Sequence, residues 1–254
     1  MFPAVFLPGG VLPGALAYPA LVAALTDRLG TRFRPLVKEL EVYAGPEPPA
    51  GFGLATEVDG ILRAADAAGF KRFHLVGYSA GGASSLAFAA AHPDRLRSLA
   101  LLEPAWAGNI GLAPEEQALQ VELRRIAVLP GAERMGPFML AQLAVGVVPP
   151  APPEGPAPPW MAQRPGGIAA FMGAFDGAEL DLGVLAALPA PVYYALGGRS
   201  NPDYYARQAG RLAKIFQHFT VELYVDRHHF DPPHRIEPDR LADALVTLWR
   251  SAAA

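Results

Sequence analysis

Short apolar runs alternate with amphipathic stretches along most of this chain. Buried strands are predicted by the apolar runs at residues 4–7, 37–42, 73–77, 98–102, 192–196 and 221–225. Helices are predicted by the amphipathic stretches at residues 19–29, 54–68, 82–91, 203–216 and 238–250. Such alternation is typical of a mostly parallel sheet covered by helices on both faces. The pattern therefore predicts an α/β protein with three layers and a sheet of about six strands.

The alternation stops between residues 105 and 189. Helices are predicted there at residues 115–128, 136–148 and 167–175. The segment at residues 149–159 is rich in proline, which excludes a regular helix or a central strand. A disordered linker is one interpretation, but we prefer a lid because apolar segments flank the prolines on both sides. We expect a core of residues 1–104 and 190–254, with residues 105–189 inserted as a helical, proline-rich lid.

Composition limits the class of protein and its partners. Of the 254 residues, 52% are hydrophobic and 18% are charged, which is enough for a substantial core. The net charge of -3 provides no basic surface, so we expect no nucleic-acid partner. Cysteine is absent, which excludes disulfides, thiolate nucleophiles and cysteine-bound metals. We expect no cofactor and no metal.

The apolar N-terminal segment at residues 2–25 is not typical of a signal peptide. It has no basic start, and prolines and glycines interrupt it. No apolar run elsewhere continues for about 18 residues, so no membrane span is predicted. Together with the absence of cysteine, this pattern predicts a cytoplasmic protein.

The pentapeptide Gly-Tyr-Ser-Ala-Gly at residues 77–81 comes directly after a predicted strand and just before a predicted helix. A serine at such a sharp turn is held where a substrate can reach it. Glycines at both flanking positions relieve steric crowding in the turn. A glycine-rich turn that merely holds a serine is the alternative interpretation. The strand and helix on either side favour Ser79 as a nucleophile.

This arrangement resembles the nucleophile elbow of the α/β-hydrolase family. Two further segments carry the resemblance: Phe-Leu-Pro-Gly-Gly at residues 6–10 and Arg-His-His-Phe-Asp at residues 227–231. The resemblance covers nearly the whole chain apart from the lid, and it implies a serine hydrolase of that fold. Family members usually have an antiparallel pair of strands before the glycine loop, whereas this chain begins at the strand of the loop itself. We therefore expect a sheet without that pair, whose first strand is either exposed on one side or covered by another element.

The resemblance places a catalytic histidine in the loop after the last strand. A serine hydroxyl needs such a base within hydrogen-bond reach, because near neutral pH it keeps its proton. The segment that begins at His229 fits the family pattern best, and His228 is the alternative. His234 follows two prolines and is interpreted as part of a surface turn.

The resemblance also implies an acid that orients the histidine. Family members commonly carry it after the strand corresponding to residues 192–196, but Ser200 stands where aspartate is usual. Asp203, slightly further on, is the alternative acid. Some members carry the acid one strand earlier, where this chain has Glu103. We assign Glu103, because a carboxylate at the end of an apolar strand needs a partner and an imidazole is a natural one.

An oxyanion hole is expected from backbone N–H groups. The resemblance assigns them to Gly10 in the early glycine loop and to Ala80, which directly follows the nucleophile. Four residues are candidates for lining the substrate pocket, with packing in the core or lid as the alternative: Val11, Tyr78, Trp106 and Phe138.

The resemblance implies hydrolysis of a small or medium apolar ester through an acyl-enzyme, with a Ser-His-Glu triad. The partner is then a small-molecule substrate. Alternatives are cleavage of amides or carbon–carbon bonds by the same triad, and a non-catalytic ligand-binding protein of this fold. A homodimer is possible through the first strand or the apolar lid.

Overall fold

A single parallel sheet organises the protein, whose computed structural model describes residues 1–151 and 155–252. Its strands are β1 (Phe2–Leu7), β2 (Phe33–Val37), β3 (Phe73–Tyr78), β4 (Leu96–Leu102), β5 (Val192–Gly197) and β6 (Phe219–Tyr224). They lie in the order β2-β1-β3-β4-β5-β6, and every neighbouring pair is parallel. The predicted α/β class and mostly parallel sheet of six strands are confirmed.

The helices cover both faces of this sheet. In chain order they are α1 (Gly14–Ala17), α2 (Pro19–Leu29), α3 (Leu54–Ala67), α4 (Ala80–Ala91), α5 (Pro114–Ala127), α6 (Gly131–Ala141), α7 (Arg164–Asp176), α8 (Leu182–Ala186), α9 (Tyr205–Leu212), α10 (Pro233–Ile236) and α11 (Pro238–Ser251). Apolar side chains of α3, α4, α8 and α9 belong to one buried cluster, and those of α2 and α11 belong to a second. Alternate side chains of β1 enter these two clusters, Val5 and Leu7 on one face and Ala4 and Phe6 on the other.

The second strand lies earlier than its apolar pattern predicted. The prediction of a strand at residues 37–42 was wrong, since β2 is Phe33–Val37 and Glu41–Tyr43 forms a 3-10 turn. Pro35 lies inside β2, and proline disfavours a central strand because it has no N–H to donate. The sheet accommodates it because β2 is an edge strand that pairs only with β1.

The first strand is covered on both sides. It pairs with β2 along one edge and with β3 along the other. The first strand is therefore covered by another element, as one of the two expectations stated, and is not exposed on one side. The edges of the sheet are β2 and β6, so a dimer through an exposed β1 edge is excluded.

Helices α5 to α8 lie in the long connection between β4 and β5. Two of the predicted helices match α5 and α7 closely, whereas α6 ends at Ala141 instead of continuing to residue 148. Directly after α6 the chain pairs with the loop that follows β5, through an antiparallel bridge between Leu143 and Ser200. The predicted proline-rich linker lies partly outside the described residues, and Pro159–Gln163 forms a 3-10 turn. The division into a core and a lid stays a prediction.

None of the helices within residues 1–151 and 155–252 combines the length and apolar character needed to cross a membrane.

Candidate active site

Ser79 occupies a strained turn between β3 and α4. Its backbone has φ 53° and ψ −117°, a conformation that costs energy for any residue other than glycine. The two flanking glycines are required for space. A Cβ on Gly77 would lie 2.3 Å from the Gly81 carbonyl oxygen, and one on Gly81 would lie 2.5 Å from the Pro8 carbonyl oxygen. The glycines thus let the turn pack against α4 and β1 while Ser79 faces a cavity.

Three side chains from distant parts of the chain form one hydrogen-bonded chain at the carboxyl edge of the sheet. Ser79 Oγ lies 3.0 Å from His229 Nε2, and His229 Nδ1 lies 3.2 Å from Glu103 Oε2. A carboxylate only accepts hydrogen bonds, so Nδ1 carries the proton and Nε2 presents its lone pair to the serine hydroxyl. The imidazole is 1% exposed, so both nitrogens are largely shielded from bulk solvent.

Glu103 is the first residue after β4 and is buried. It also has a positive φ of 46°. Its second carboxylate oxygen, Oε1, accepts a hydrogen bond of 2.7 Å from the Gly197 N–H at the end of β5. The neighbouring strand and the histidine together compensate the cost of burying this carboxylate.

The alternative base and acid lie elsewhere. His228 Nδ1 accepts a hydrogen bond of 3.2 Å from the Phe230 N–H, and burial lowers the pKa of its ring. Asp203 is exposed and contacts Arg207 at 3.3 Å. Neither side chain is brought to Ser79.

His234 differs from its prediction as part of a surface turn, which was wrong. It is 0% exposed and lies between the rings of Tyr18 and Tyr78, at centroid distances of 4.9 and 4.7 Å. The prolines before it begin the short helix α10, which turns the chain inward. Burial lowers the pKa of His234 to about 3.

The two predicted oxyanion donors, Gly10 and Ala80, lie side by side in the cavity wall. A Cβ on Gly10 would be 3.8 Å from the Cβ of Ala80. Neither N–H has an acceptor among the described residues. Ala80 is the first residue of α4, so the helix dipole favours negative charge at this point. The Gly10 carbonyl accepts a hydrogen bond of 2.6 Å from the hydroxyl of Tyr43, which holds the loop in place.

The cavity beside Ser79 encloses about 840 Å³ including its open mouth. All four predicted pocket residues line it: Val11, Tyr78, Trp106 and Phe138. The Trp106 ring stacks on Phe175 at 5.6 Å, and Tyr78 donates a hydrogen bond to the carbonyl of His229. Most of the other lining side chains are apolar, among them Leu123, Ile168, Phe171, Met172 and Phe230.

Two polar side chains lie at this site although the sequence did not predict them there. Tyr205, at the start of α9, contacts His229, and Gln142, just after α6, contacts Tyr205. Tyr205 follows the loop after β5, where the sequence drew attention only to Ser200 and Asp203. No signal in the sequence pointed to Gln142. Within the described residues no group of three histidine, aspartate or glutamate side chains could hold a metal ion.

Comparison with known proteins supports the same fold. The family model described as alpha/beta hydrolase fold matches residues 44–134, which include Ser79 and Glu103. A thermophilic esterase from Thermogutta terrifontis superposes with a TM-score of 0.67 over 100% of this chain and 91% of that chain, at 20% identity. The chain has the α/β-hydrolase fold. It also superposes on the 2-hydroxy-6-oxo-6-phenylhexa-2,4-dienoate hydrolase from Rhodococcus sp. strain RHA1, with a TM-score of 0.64 and 20% identity over 98% of this chain and 91% of that one.

Sequence similarity to curated relatives is local. The 2-hydroxy-6-oxo-6-phenylhexa-2,4-dienoate hydrolase of Comamonas testosteroni is 43% identical over 60 residues. This match spans 24% of this chain and 20% of the relative.

Proposed function

We propose that this protein is a serine hydrolase that cleaves small or medium apolar esters through an acyl-enzyme. The observation that carries the proposal is the hydrogen-bonded chain from Ser79 through His229 to Glu103, with distances of 3.0 and 3.2 Å. A hydroxyl, an imidazole and a carboxylate in this order are the parts needed to activate a serine.

Each residue then has a defined task. His229 Nε2 takes the proton of Ser79 Oγ as that oxygen attacks the substrate carbonyl carbon. Glu103 holds the Nδ1–H and stabilises the positive charge that forms on the ring. The N–H groups of Gly10 and Ala80 stabilise the negative charge on the carbonyl oxygen. His229 gives its proton to the leaving alcohol and then activates a water that hydrolyses the acyl-enzyme.

The walls of the cavity support an apolar substrate. Aromatic rings dominate the region beyond Ser79, where Trp106, Phe171 and Phe175 pack against one another. These rings offer apolar area, which favours aliphatic and aryl acyl groups. The charged lining residues Arg124 and Asp176 pair with each other at 2.7 Å.

A fluorophosphonate probe tests the nucleophile directly. We expect the wild-type protein to be labelled and Ser79→Ala to be unlabelled. Ser84→Ala is the matched control, because Ser84 is a buried serine on α4 whose hydroxyl bonds only to the Ala80 carbonyl. Labelling that persists in Ser79→Ala would refute the assignment, and an unlabelled, inactive wild type would favour a non-catalytic ligand-binding protein. Turnover rates on p-nitrophenyl esters of increasing acyl length then show which acyl length the enzyme prefers.

Carbon–carbon bond hydrolysis is the second candidate. It is supported by the similarity to the two dienoate hydrolases, whose named substrate has a ketone but no ester or amide bond. Turnover of a vinylogous diketone at least as fast as that of p-nitrophenyl butyrate would favour this candidate over the esterase.

A further inference from the structure

Tyr205 brings a phenol to the same nitrogen that takes the serine proton. Its hydroxyl oxygen lies 3.3 Å from His229 Nε2, and its ring stacks on the imidazole at a centroid distance of 4.8 Å and an angle of 15°. Tyr205 is 0% exposed. At 3.3 Å the phenol and the imidazole are in direct contact.

The single proton of this phenol is already used. The Tyr205 hydroxyl lies 2.5 Å from Gln142 Oε1, an oxygen that can only accept. The amide orientation of Gln142 is fixed because its Nε2 donates to the Phe138 carbonyl at 3.3 Å. The backbone is fixed as well, since the Gln142 carbonyl accepts a hydrogen bond of 3.0 Å from the Asn201 N–H. Toward His229 the Tyr205 oxygen therefore presents only a lone pair.

Such an oxygen interacts differently with the two protonation states of the imidazole. In the resting site Nε2 carries no proton, so two electron-rich atoms lie 3.3 Å apart. When the Ser79 O–H bond breaks and the N–H bond forms on Nε2, the imidazole becomes positively charged, and the lone pair of the Tyr205 oxygen, which lies over the stacked ring, stabilises that charge. The contact thus changes from weakly repulsive to attractive during the reaction, and such differential interactions accelerate the chemical step.

We propose, resting on the proposed hydrolase function, that Tyr205 is a further catalytic residue, whose oxygen stabilises the positive charge of protonated His229, and that Gln142 positions it. Burial raises the pKa of Tyr205 well above its ordinary value, so the phenol stays neutral at working pH. Glu103 is the charged group that faces the imidazole, at Nδ1. Other titratable groups surround His229 and are unchanged in the variants below: Ser79, Tyr78, His228 and His234.

The variant Tyr205→Phe keeps the stacked ring and removes only the oxygen. We expect kcat for p-nitrophenyl butyrate to fall about three- to tenfold, the effect of losing a buried dipole beside a charged group. KM should change less than about twofold, since Tyr205 does not line the cavity. The acid limb of the kcat/KM profile should move to lower pH by about half a unit to one unit, because a contact that favours the protonated ring is gone. The matched control is Tyr193→Phe. Tyr193 is another buried tyrosine, and its hydroxyl bonds to Glu222 and Tyr224. This variant should leave kcat, KM and the acid limb unchanged.

A double-mutant cycle tests the role of Gln142. Gln142→Leu frees the Tyr205 O–H to turn toward the ring, where its positive end destabilises protonated His229, so kcat should fall. In the Tyr205→Phe background the same substitution should have no further effect. Gln142 itself lines the cavity, and a direct contact with substrate would persist in the double variant. If the fold-losses in kcat of the two single variants multiplied in the double variant, the positioning role of Gln142 would be overturned.

A substrate-free measurement separates this inference from the proposed function. The titration curve of the His229 ring protons, followed by NMR, should shift to lower pH in Tyr205→Phe and stay in place in Tyr193→Phe. A protein that turns over no ester and binds no fluorophosphonate would refute the hydrolase, and the titration would still test the contact. An unshifted curve, or a Tyr205→Phe kcat within twofold of wild type, would overturn the role of Tyr205.

Discussion

Replacing Glu103 by glutamine changes one atom of the side chain and removes its charge. The structure gives this carboxylate two donors, the Gly197 N–H at 2.7 Å and the His229 Nδ1–H at 3.2 Å. A carboxylate accepts from both, whereas an amide has only one oxygen. In Glu103→Gln the NH2 group must face one of the two donors.

The Gly197 N–H is fixed in the backbone, so the amide oxygen is expected to turn toward it. The NH2 group then faces His229 Nδ1, which can accept only by giving up its proton. The proton moves to Nε2, and the ring can no longer act as a base toward Ser79. Loss of a charged hydrogen bond alone costs about 1.5–3 kcal/mol, or about 10- to 150-fold in kcat. The change of tautomer raises the expected loss toward about 10⁴-fold, as for the corresponding change in a serine protease triad.

Steady-state turnover of p-nitrophenyl butyrate measures this loss, and thermal unfolding checks that the variant folds. KM should stay close to wild type, because Glu103 does not line the cavity. The matched control is Asp203→Asn, which neutralises an exposed carboxylate paired with Arg207 and should change kcat less than about twofold. If Asp203→Asn lost activity by orders of magnitude and Glu103→Gln did not, the acid would be misassigned.

Two further predictions concern stability. Gly81→Ala places a Cβ 2.5 Å from the Pro8 carbonyl oxygen and should lower the free energy of unfolding by about 3 kcal/mol or more, whereas Gly173→Ala, in open space on α7, should raise it by about 0.5–1 kcal/mol. Equal midpoints in urea for the two variants would contradict this steric argument. Burial lowers the pKa of both His74 and His234 to about 3, so between pH 6.5 and 3 only the unfolded chain binds these protons. Stability should therefore fall with decreasing pH in this window, by about 1.4 kcal/mol per pH unit for each histidine. Urea unfolding at several pH values measures the slope, which should be smaller in His234→Phe; an unchanged slope would contradict the assignment to His234.

Most of the sheet could be predicted because buried parallel strands leave an apolar run in the sequence. The run that ends at Val76 matches β3, and the elbow that follows it needs glycine for reasons of local space. The second strand escaped prediction because Pro35 disfavours a strand, and only its place at the edge of the sheet makes proline acceptable. That place is a property of the whole topology and leaves no local signal.

The candidate site also combines residues with a local sequence signal and residues that only the topology brings together. Ser79, Glu103 and His229 each follow a predicted strand, so the family order of elements was enough to select them as candidates. Tyr205 and Gln142 are joined by a hydrogen bond between residues 63 positions apart, and Gln142 lies in the inserted segment, where no strand was predicted. Their meeting depends on how the chain after α6 pairs with the loop after β5, which periodicity cannot reveal. His234 was misread for a related reason, since two prolines indicate a turn but not whether the turn faces inward.

If Glu103 is the acid, as proposed, the loop after β5 is free to bond to the inserted segment instead of holding a catalytic carboxylate. Glu103 extends from β4, and β4 lies beside β5, so its carboxylate reaches the Gly197 N–H as well as His229. An aspartate at this position would be shorter by one carbon–carbon bond of about 1.5 Å and would have to abandon one of these donors. With the acid supplied by β4, the loop after β5 has no catalytic carboxylate to hold in place. Its residues 199–201 instead bond to the chain just after α6, at Ala144 N–H, Leu143 and the Gln142 carbonyl. That pairing fixes Gln142 beside Tyr205. The same loop pairing therefore accompanies both an acid on β4 and a tyrosine hydroxyl beside His229.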